Sequence, residues 1–333
     1  MPIKRKSQVI PTCNVDTPFQ IGSATFQHRL IQAPLAGISC APFRELFAQY
    51  ETPAYAVTEM ISAQSMLQHE RLKPRYLSHS KQEGPWAIQL SGYEASFLSE
   101  AVRIAQSYQP DLIDLNCGCP KPKIRGKGCG SALMDSPKDL QQAVTAMRQA
   151  TTLPLTVKIR TSGNTDDSKF LEAASIIEQC GADAIIVHGR HHTEGYDVAA
   201  NYQQIRQVVE RVTIPVIANG DVNDTLSMQR CFEETGAIAI MIARGSIGKP
   251  WLFKQLLKGI PTPMFAERLN VFSKHIEGLA LIEGSDYAAL LQARRLLKWY
   301  FPALNEEELA DCYAIKSMVE LIVRLKKTEL VPT

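Results

Sequence analysis

Four groups of residues in this chain carry side chains suited to proton transfer and anion binding. The first is Asn116-Cys117-Gly118-Cys119-Pro120, directly after the apolar run Leu112-Ile113-Asp114-Leu115. Gly118 and Pro120 force a sharp turn there. A thiol on such a turn can project into a cleft beside an amide and exchange a proton. Lone cysteines are more often small buried hydrophobes, so the rest of the chain must decide. The second group is Lys158 and Arg160, at alternating positions of one run. At least one of them faces the interior or rim of the sheet that holds it. A cation there costs free energy unless an anion or electron-rich ligand sits beside it. The third group, Asn219-Gly220-Asp221 and Ala243-Arg244-Gly245, closes two later runs with backbone N–H groups and a planar guanidinium. That chemistry suits a phosphate. The fourth is His188-Gly189-Arg190, after another apolar run.

The elements that must position these residues are legible as a repeating pattern. Short runs rich in β-branched residues occur at 30–33, 54–58, 86–90, 112–116, 155–160, 184–188, 216–219 and 238–243. Helical periodicity fills most intervals, at 42–50, 93–108, 137–151, 168–180, 202–211 and 224–235. Ser136-Pro137 and Asn223-Asp224 mark helix starts, and Gly181 and Gly236 mark helix ends. Continuous apolar strands alternating with helices imply a parallel sheet covered by helices. Eight such units over about 250 residues predict a (β/α)8 barrel. No G-x-G-x-x-G follows the first strand, which disfavours an open dinucleotide-binding sheet. Residues 19–29 read as a hairpin turning at Gly22-Ser23, a lid over one barrel mouth. After Pro261-Thr262-Pro263 the strand signals stop, and helices are expected at 265–283, 287–299 and 306–326. The predicted organisation is an arm at 1–18, a barrel at 19–255 and a small all-helical domain at 256–333. That last domain carries Arg294, Arg295 and Lys298, then Arg324, Lys326 and Lys327. Such clusters are equally compatible with solvated helix faces.

In a barrel the site forms at the C-terminal ends of the strands. Here each predicted strand ends in useful chemistry: Ala33-Pro34-Leu35-Ala36-Gly37, Thr58-Glu59-Met60, Gln89, Asn116, Lys158 with Arg160, His188, Asn219 and Ala243-Arg244. Convergence of eight polar ends predicts a ligand site. The phosphate-suited seventh and eighth ends, with Lys158 toward the middle, fit flavin mononucleotide (FMN). Its phosphate lies at one end, and its ring takes negative charge when reduced. No metal is expected. His188 lacks a paired ligand at the usual spacing, and Cys117, Cys119 and Cys129 match no iron–sulfur spacing.

The ordered set Ala33–Gly37, Pro42-Phe43-Arg44, Thr58-Glu59-Met60, Gln89-Leu90-Ser91-Gly92, Asp114–Pro120 and Lys127-Gly128-x-Gly130-x-Ala132-Leu133 resembles the tRNA-dihydrouridine synthases. So do Val157–Arg160, Val187–Arg190, Ile214–Asp221 and Met241–Gly245. The resemblance covers roughly residues 20–255 and extends weakly into the helical tail. It implies an FMN-dependent barrel with a helical domain that helps hold tRNA, through Arg294, Arg295 and Lys298 here. It implies that NADPH reduces FMN, that a hydride passes to C6 of a uridine, and that a cysteine protonates C5. By motif position that cysteine is Cys119, not Cys117. Asn116 and Arg160 would hold the uracil, and Lys158 would sit between flavin and substrate. Pro34, Leu35, Gln89, Lys158, His188, Asn219, Gly220, Asp221, Ala243, Arg244 and Gly245 would line FMN. The chain departs from the family pattern at Ile38-Ser39-Cys40, at Leu35 in place of methionine, and at Val198 in place of glycine. It also has Glu194 where a glutamine is common, and this carboxylate is not expected to meet RNA as the glutamine would.

Composition bounds the alternatives. The 333 residues are 45% hydrophobic and 21% charged, enough for a sizeable core. A net charge of +2 permits a nucleic-acid partner without requiring one. Eight scattered cysteines form no secreted-type disulfide framework, so a reducing cytoplasm is expected. The basic start, Lys4-Arg5-Lys6, has no apolar stretch after it, so no signal peptide is read. No membrane span and no protein partner are implied, and a monomer is expected. Two rival readings remain: an FMN barrel acting on a small molecule, in the manner of dihydroorotate dehydrogenase, and a non-catalytic RNA-binding barrel. The helical tail counts against the first, and intact Cys119 and Lys158 against the second.

Overall fold

The computed structural model describes residues 14–68, 73–164 and 168–329. The basic segment Lys4-Arg5-Lys6 and most of the expected 1–18 arm lie outside the described residues. A hairpin is the first element of the described residues: β1 (Phe19–Ile21) and β2 (Ala24–Phe26) pair antiparallel around Gly22, whose φ of 54° suits a residue without a Cβ. Eight parallel staves follow. They are β3 (Leu30–Gln32), a second stave in two pieces, β4 (Ala56–Val57) and β5 (Ile61–Ser62), then β6 (Trp86–Ser91), β7 (Leu112–Asn116), β8 (Leu155–Arg160), β9 (Ala184–His188), β10 (Val216–Asn219) and β11 (Ala239–Ile242). β11 pairs with β3, and β4 pairs with both β3 and β6, so the sheet closes into a (β/α)8 barrel. The second stave breaks because the Thr58 hydroxyl takes the Gln89 N–H at 3.1 Å, which displaces a ladder carbonyl.

The helices around the barrel are α1 (Ala41–Glu45), α2 (Ala63–Met66), α3 (Ala95–Gln106), α4 (Pro122–Arg125), α5 (Pro137–Ala150), α6 (Lys169–Gln179), α7 (Tyr202–Arg211), α8 (Thr225–Thr235) and α9 (Leu252–Lys258). Ser136 caps α5 by accepting from Asp139 N, and Asp224 caps α8 in a reciprocal box with Ser227. The segment expected as one helix over 42–50 is α1 followed by a 3-10 turn, Leu46–Gln49.

Period-two alternation divides each strand between two environments. Ile113, Leu115, Val157, Ile159, Ile185, Val187, Ala218, Ile240 and Ile242 face the helices in the main core. Ile31, Val57, Ala87, Leu112, Ala184, Ile186, Ile217, Ala239 and Met241 fill the barrel interior, where Phe19, Ile21 and Phe26 join them. The hairpin therefore plugs the N-terminal mouth, opposite the strand ends that carry polar residues.

The tail is helical, as the sequence indicates: α10 (Phe265–Glu283), α11 (Asp286–Tyr300), α12 (Glu306–Ala314) and α13 (Met318–Glu329). The expected helix over 306–326 is two. Ile315 turns extended after α12, and its carbonyl accepts from Arg294 Nη2; Ser317 then starts α13 by accepting from Leu321 N at 3.0 Å. The tail meets the barrel without space to spare. A Cβ at Gly278 would sit 2.8 Å from Pro42 Cβ, and one at Gly248, where φ is +69°, would collide with the Trp299 carbonyl. Arg75 spans the junction, paired with Glu59 at 2.9 Å and with Glu283 of α10.

Candidate active site

One cavity of about 680 Å³ opens at the C-terminal ends of the strands. That volume lies within the roughly 300–1,000 Å³ usual for cofactor and ligand sites. Pro34, Leu35, Gln89, Asn116, Cys119, Lys158, Arg160, His188, Asn219, Gly220, Asp221, Ala243, Arg244 and Gly245 all line it. The reason is register. Asn116 stands opposite Lys158, Arg160 opposite His188, and His188 opposite Asn219, so inward positions of four adjacent staves form two successive polar rungs.

Cys117 and Cys119 separate cleanly. Asn116 points inward, so Cys117 points outward and is fully buried in the main core; that burial raises its thiol pKa well above the ordinary value. Cys119 reaches the cavity and is partly exposed. Its backbone is fixed on every side. Asn116 Oδ1 accepts from Gly118 N at 3.2 Å and from Cys119 N at 2.9 Å. The Cys119 carbonyl accepts from Ser131 N at 3.1 Å and Ser131 Oγ at 3.0 Å. Arg160 Nε donates to the Gly118 carbonyl at 2.6 Å. Gly130, at φ +63°, lies so close that a Cβ there would come within 2.8 Å of the Cys119 carbonyl.

The anchor of this arrangement lies deeper. Asp114 is buried and accepts from Thr156 Oγ1 at 2.5 Å and Gln89 Nε2 at 2.6 Å. Gln89 Oε1 in turn accepts from Asn116 Nδ2 at 2.8 Å. Burial pushes the Asp114 carboxyl up to about 6, against the lowering effect of those hydrogen bonds.

Both Lys158 and Arg160 face inward. Lys158 Nζ donates to Asn219 Oδ1 at 2.8 Å, and Asn219 Nδ2 donates to the Met241 carbonyl at 2.8 Å. Burial, with Arg160 nearby, brings the Lys158 ammonium down to about 7. His188 is held neutral, well below its usual range, first by burial and then by Lys158, Arg160, Arg190 and Arg244. Arg190, which lines the cavity and is almost wholly buried, donates to both Asp221 oxygens at 2.6 Å, and Arg244 lies 3.3 Å from the same carboxylate. Lys121, Lys158, Arg160, Arg190, Arg244 and Lys249 thus line the cavity against one lining carboxylate, Asp221. At the seventh and eighth strand ends, a Cβ on Gly245 would collide with the Val222 carbonyl. The excess positive charge and the glycine-held backbone fit a phosphate with an electron-accepting ring beyond it, as in a flavin.

Sequence reasoning missed some lining residues. Tyr196 covers Arg244, with the guanidinium 3.7 Å from its ring centre, and Lys249 and Trp299 also line the cavity. The Gly195-Tyr196 pair after His188-Gly189-Arg190 was the available signal for the first. Nothing local marks Trp299. Among the three cations expected to hold tRNA, Arg294 is engaged with Ile315, whereas Arg295 and Lys298 are exposed, Arg295 beside Gly37. Glu194 accepts from the backbone N–H of Asn164 at 2.9 Å and of His191 at 2.7 Å, tying the loop after β8 to the loop after β9.

A family model described as dihydrouridine synthase matches residues 31–327. The chain is 34% identical over 292 residues to the tRNA-dihydrouridine synthase B of Pasteurella multocida, covering 86% of this chain and 87% of that protein. It is 36% identical over 302 residues to a probable tRNA-dihydrouridine synthase 1 of Synechocystis sp., covering 87% and 84%. Among solved structures, morphinone reductase aligns with a TM-score of 0.59 at 12% identity, over 77% of this chain and 92% of that one. A 2-naphthoyl-CoA reductase complex with 2-naphthoyl-CoA aligns at 0.60 and 11% identity, over 74% and 52%. At such identities these two likenesses carry the fold alone.

Proposed function

The chain belongs to the dihydrouridine synthase family, and on that premise we propose that it reduces the C5=C6 bond of uridines in tRNA to 5,6-dihydrouridine. FMN is the flavin of this reading, and Lys158, Arg244, Gly245, Gly220 and Asn219 are the residues that would hold it. A flavin held there and reduced by NADPH would supply the hydride that uridine C6 takes. The observation that carries the reading is that Cys119 opens into the same cavity as the Lys158–Arg244 cation cluster.

The chain's own residues do the rest. Cys119 Sγ donates its proton to C5 as C6 gains the hydride, and the thiolate then recovers a proton from solvent. Asn116 and Arg160 face the uracil. Both also clamp the Cys119 loop, so substrate binding and proton-donor placement share one set of contacts. The uridine must leave its stack to reach them, at a cost of a few kcal/mol. The helical domain, 256–333 in this reading, offsets that cost through phosphate contacts of Arg295 and Lys298. Among the described residues no helix is long and apolar enough to cross a membrane, and a tRNA substrate implies work in the cytoplasm.

The test is to incubate unmodified tRNA with the purified protein, FMN and NADPH, then map dihydrouridine by position. New dihydrouridine at a defined site is expected. NADPH oxidation by the flavin-loaded protein without any dihydrouridine would sink the tRNA reading and favour a small-molecule substrate.

Lys158 provides a separate check on the flavin assignment. Its ammonium titrates near 7 in the protein. A ring carbonyl of the flavin that accepted a hydrogen bond from it would favour the charged form and raise that value, so binding would take up a proton. Affinity for FMN is therefore greatest below pH 7 and falls as pH rises through it, by roughly tenfold between pH 6.5 and 8.5. Lys158→Met should remove this decline and leave only the opposite, small effect of the phosphate's own ionisation near pH 6. Flavin fluorescence titrations of the apoprotein measure both profiles; identical profiles would place Lys158 away from the flavin.

A further inference from the structure

The three tryptophans of the chain have different surroundings. Trp86 is 1% exposed, stacked on His79 at 4.5 Å with the Arg44 guanidinium 5.8 Å from its ring. Trp251 is 2% exposed, with Tyr50 edge-on at 6.0 Å. Trp299 is 39% exposed and lines the cavity that holds Cys119. Among the described residues no other ring and no guanidinium stacks on it.

This indole is nonetheless delivered to a fixed place. Its carbonyl presses on Gly248, just beyond the eighth strand, and Tyr300 beside it is buried. Leaving a large aromatic surface in water forgoes free energy that a stacked partner recovers. The surroundings indicate which partner. Lys249 lines the same cavity, and Arg295 and Lys298 are exposed on the same helix. An aromatic plane among cations is how proteins hold unstacked nucleic acid: phosphates meet the charges and bases meet the ring.

We propose that Trp299 is a stacking platform for a nucleobase of the RNA substrate, the one beside the uridine extruded into the cavity. The proposal rests on the uridine-reductase reading and adds a specific contact from the helical tail. An extruded uridine deprives its neighbour of a stacking partner, and Trp299 replaces it.

The experiment uses the flavin-loaded protein without NADPH, titrated with unmodified tRNA transcripts while tryptophan emission is followed. Base stacking should quench an exposed-indole component that Trp299→Leu lacks. With NADPH present, Trp299→Leu should raise KM for tRNA by roughly 5- to 150-fold, the span covered by one stacked base, with a smaller change in kcat. Trp299→Phe should restore most of the loss, because a phenyl ring still stacks. Wild-type KM in Trp299→Leu, or equal losses in the leucine and phenylalanine variants, would overturn the platform while the reductase stands. If the wild-type protein makes no dihydrouridine, the reductase reading fails and the platform falls with it.

Discussion

Cys119→Ala should lower dihydrouridine formation by about 10²- to 10⁴-fold, the usual contribution of one positioned acid. The expectation rests on geometry more than on the motif. Two cysteines lie within three residues, but the inward turn of Asn116 sends Cys117 into the main core and leaves Cys119 at the cavity. The loop around Cys119 is held by backbone groups, through Asn116, Ser131 and Arg160, and none of those bonds uses its sulfur. Removing Sγ therefore takes away the proton and little of the fold. Cys117→Ala is the informative partner. It should cost on the order of 1 kcal/mol of stability, as a small core truncation does, and spare the chemistry. Single-turnover reduction of unmodified tRNA by the pre-reduced enzyme separates the two variants. An alanine at 119 that turns over like wild type, or a Cys117→Ala that is equally slow, would reassign the acid.

The second large effect concerns stability. Arg44→Ala should destabilise the protein by about 3–5 kcal/mol, because it strands a buried carboxylate. Arg44 and Glu83 are both wholly buried and 2.8 Å apart. Every guanidinium nitrogen of Arg44 is used: Nε on Glu83, Nη1 on the Ser39 carbonyl at 3.0 Å and Nη2 on the Ser78 carbonyl at 2.6 Å. Among the described residues Glu83 keeps only the Ser80 N–H once Arg44 is gone. Thermal unfolding should shift down by about 4–7 °C. The double variant Arg44→Met/Glu83→Leu should recover much of the loss, since an apolar pair needs no compensating charge. A loss below 1 kcal/mol in Arg44→Ala would show that water or a neighbouring group replaces the guanidinium. The pair also matters for the site. Ser39, which Arg44 holds, bonds the Leu35 N–H through its hydroxyl at 2.9 Å, and Leu35 lines the cavity. Weakened flavin affinity should accompany the lower melting temperature.

Much of the barrel was legible because its signals are local. Val157-Lys158-Ile159-Arg160 shows alternation without any knowledge of neighbours. Ser136-Pro137 and Gly236 state helix ends through side-chain acceptors and an accessible positive φ. The misreadings came where a distant or lateral contact took over a backbone group. Thr58 intercepts the Gln89 N–H and splits the second stave. Arg294 takes the Ile315 carbonyl and so marks the break between α12 and α13, although the periodicity of 306–326 continues across it. Arg294 is thereby partly drawn away from the surface role that its place in a basic cluster suggested.

By itself the sequence determined which residues stand at the strand ends and in which order, because alternation and turn chemistry depend on a few adjacent residues. The cavity-lining residues from Pro34 to Gly245 therefore stand at locally legible strand ends. Only the tertiary structure decided how those ends meet and what supports them. Closing the sheet puts Asn116 against Lys158 and Arg160 against His188. Packing the tail brings Trp299 against Gly248 and Glu283 against Arg75. The ion pair of Arg44 with Glu83 likewise joins residues far apart in the chain. Such contacts arise from packing whole elements against one another, and no local propensity encodes which distant partner a buried charge or an exposed ring will find.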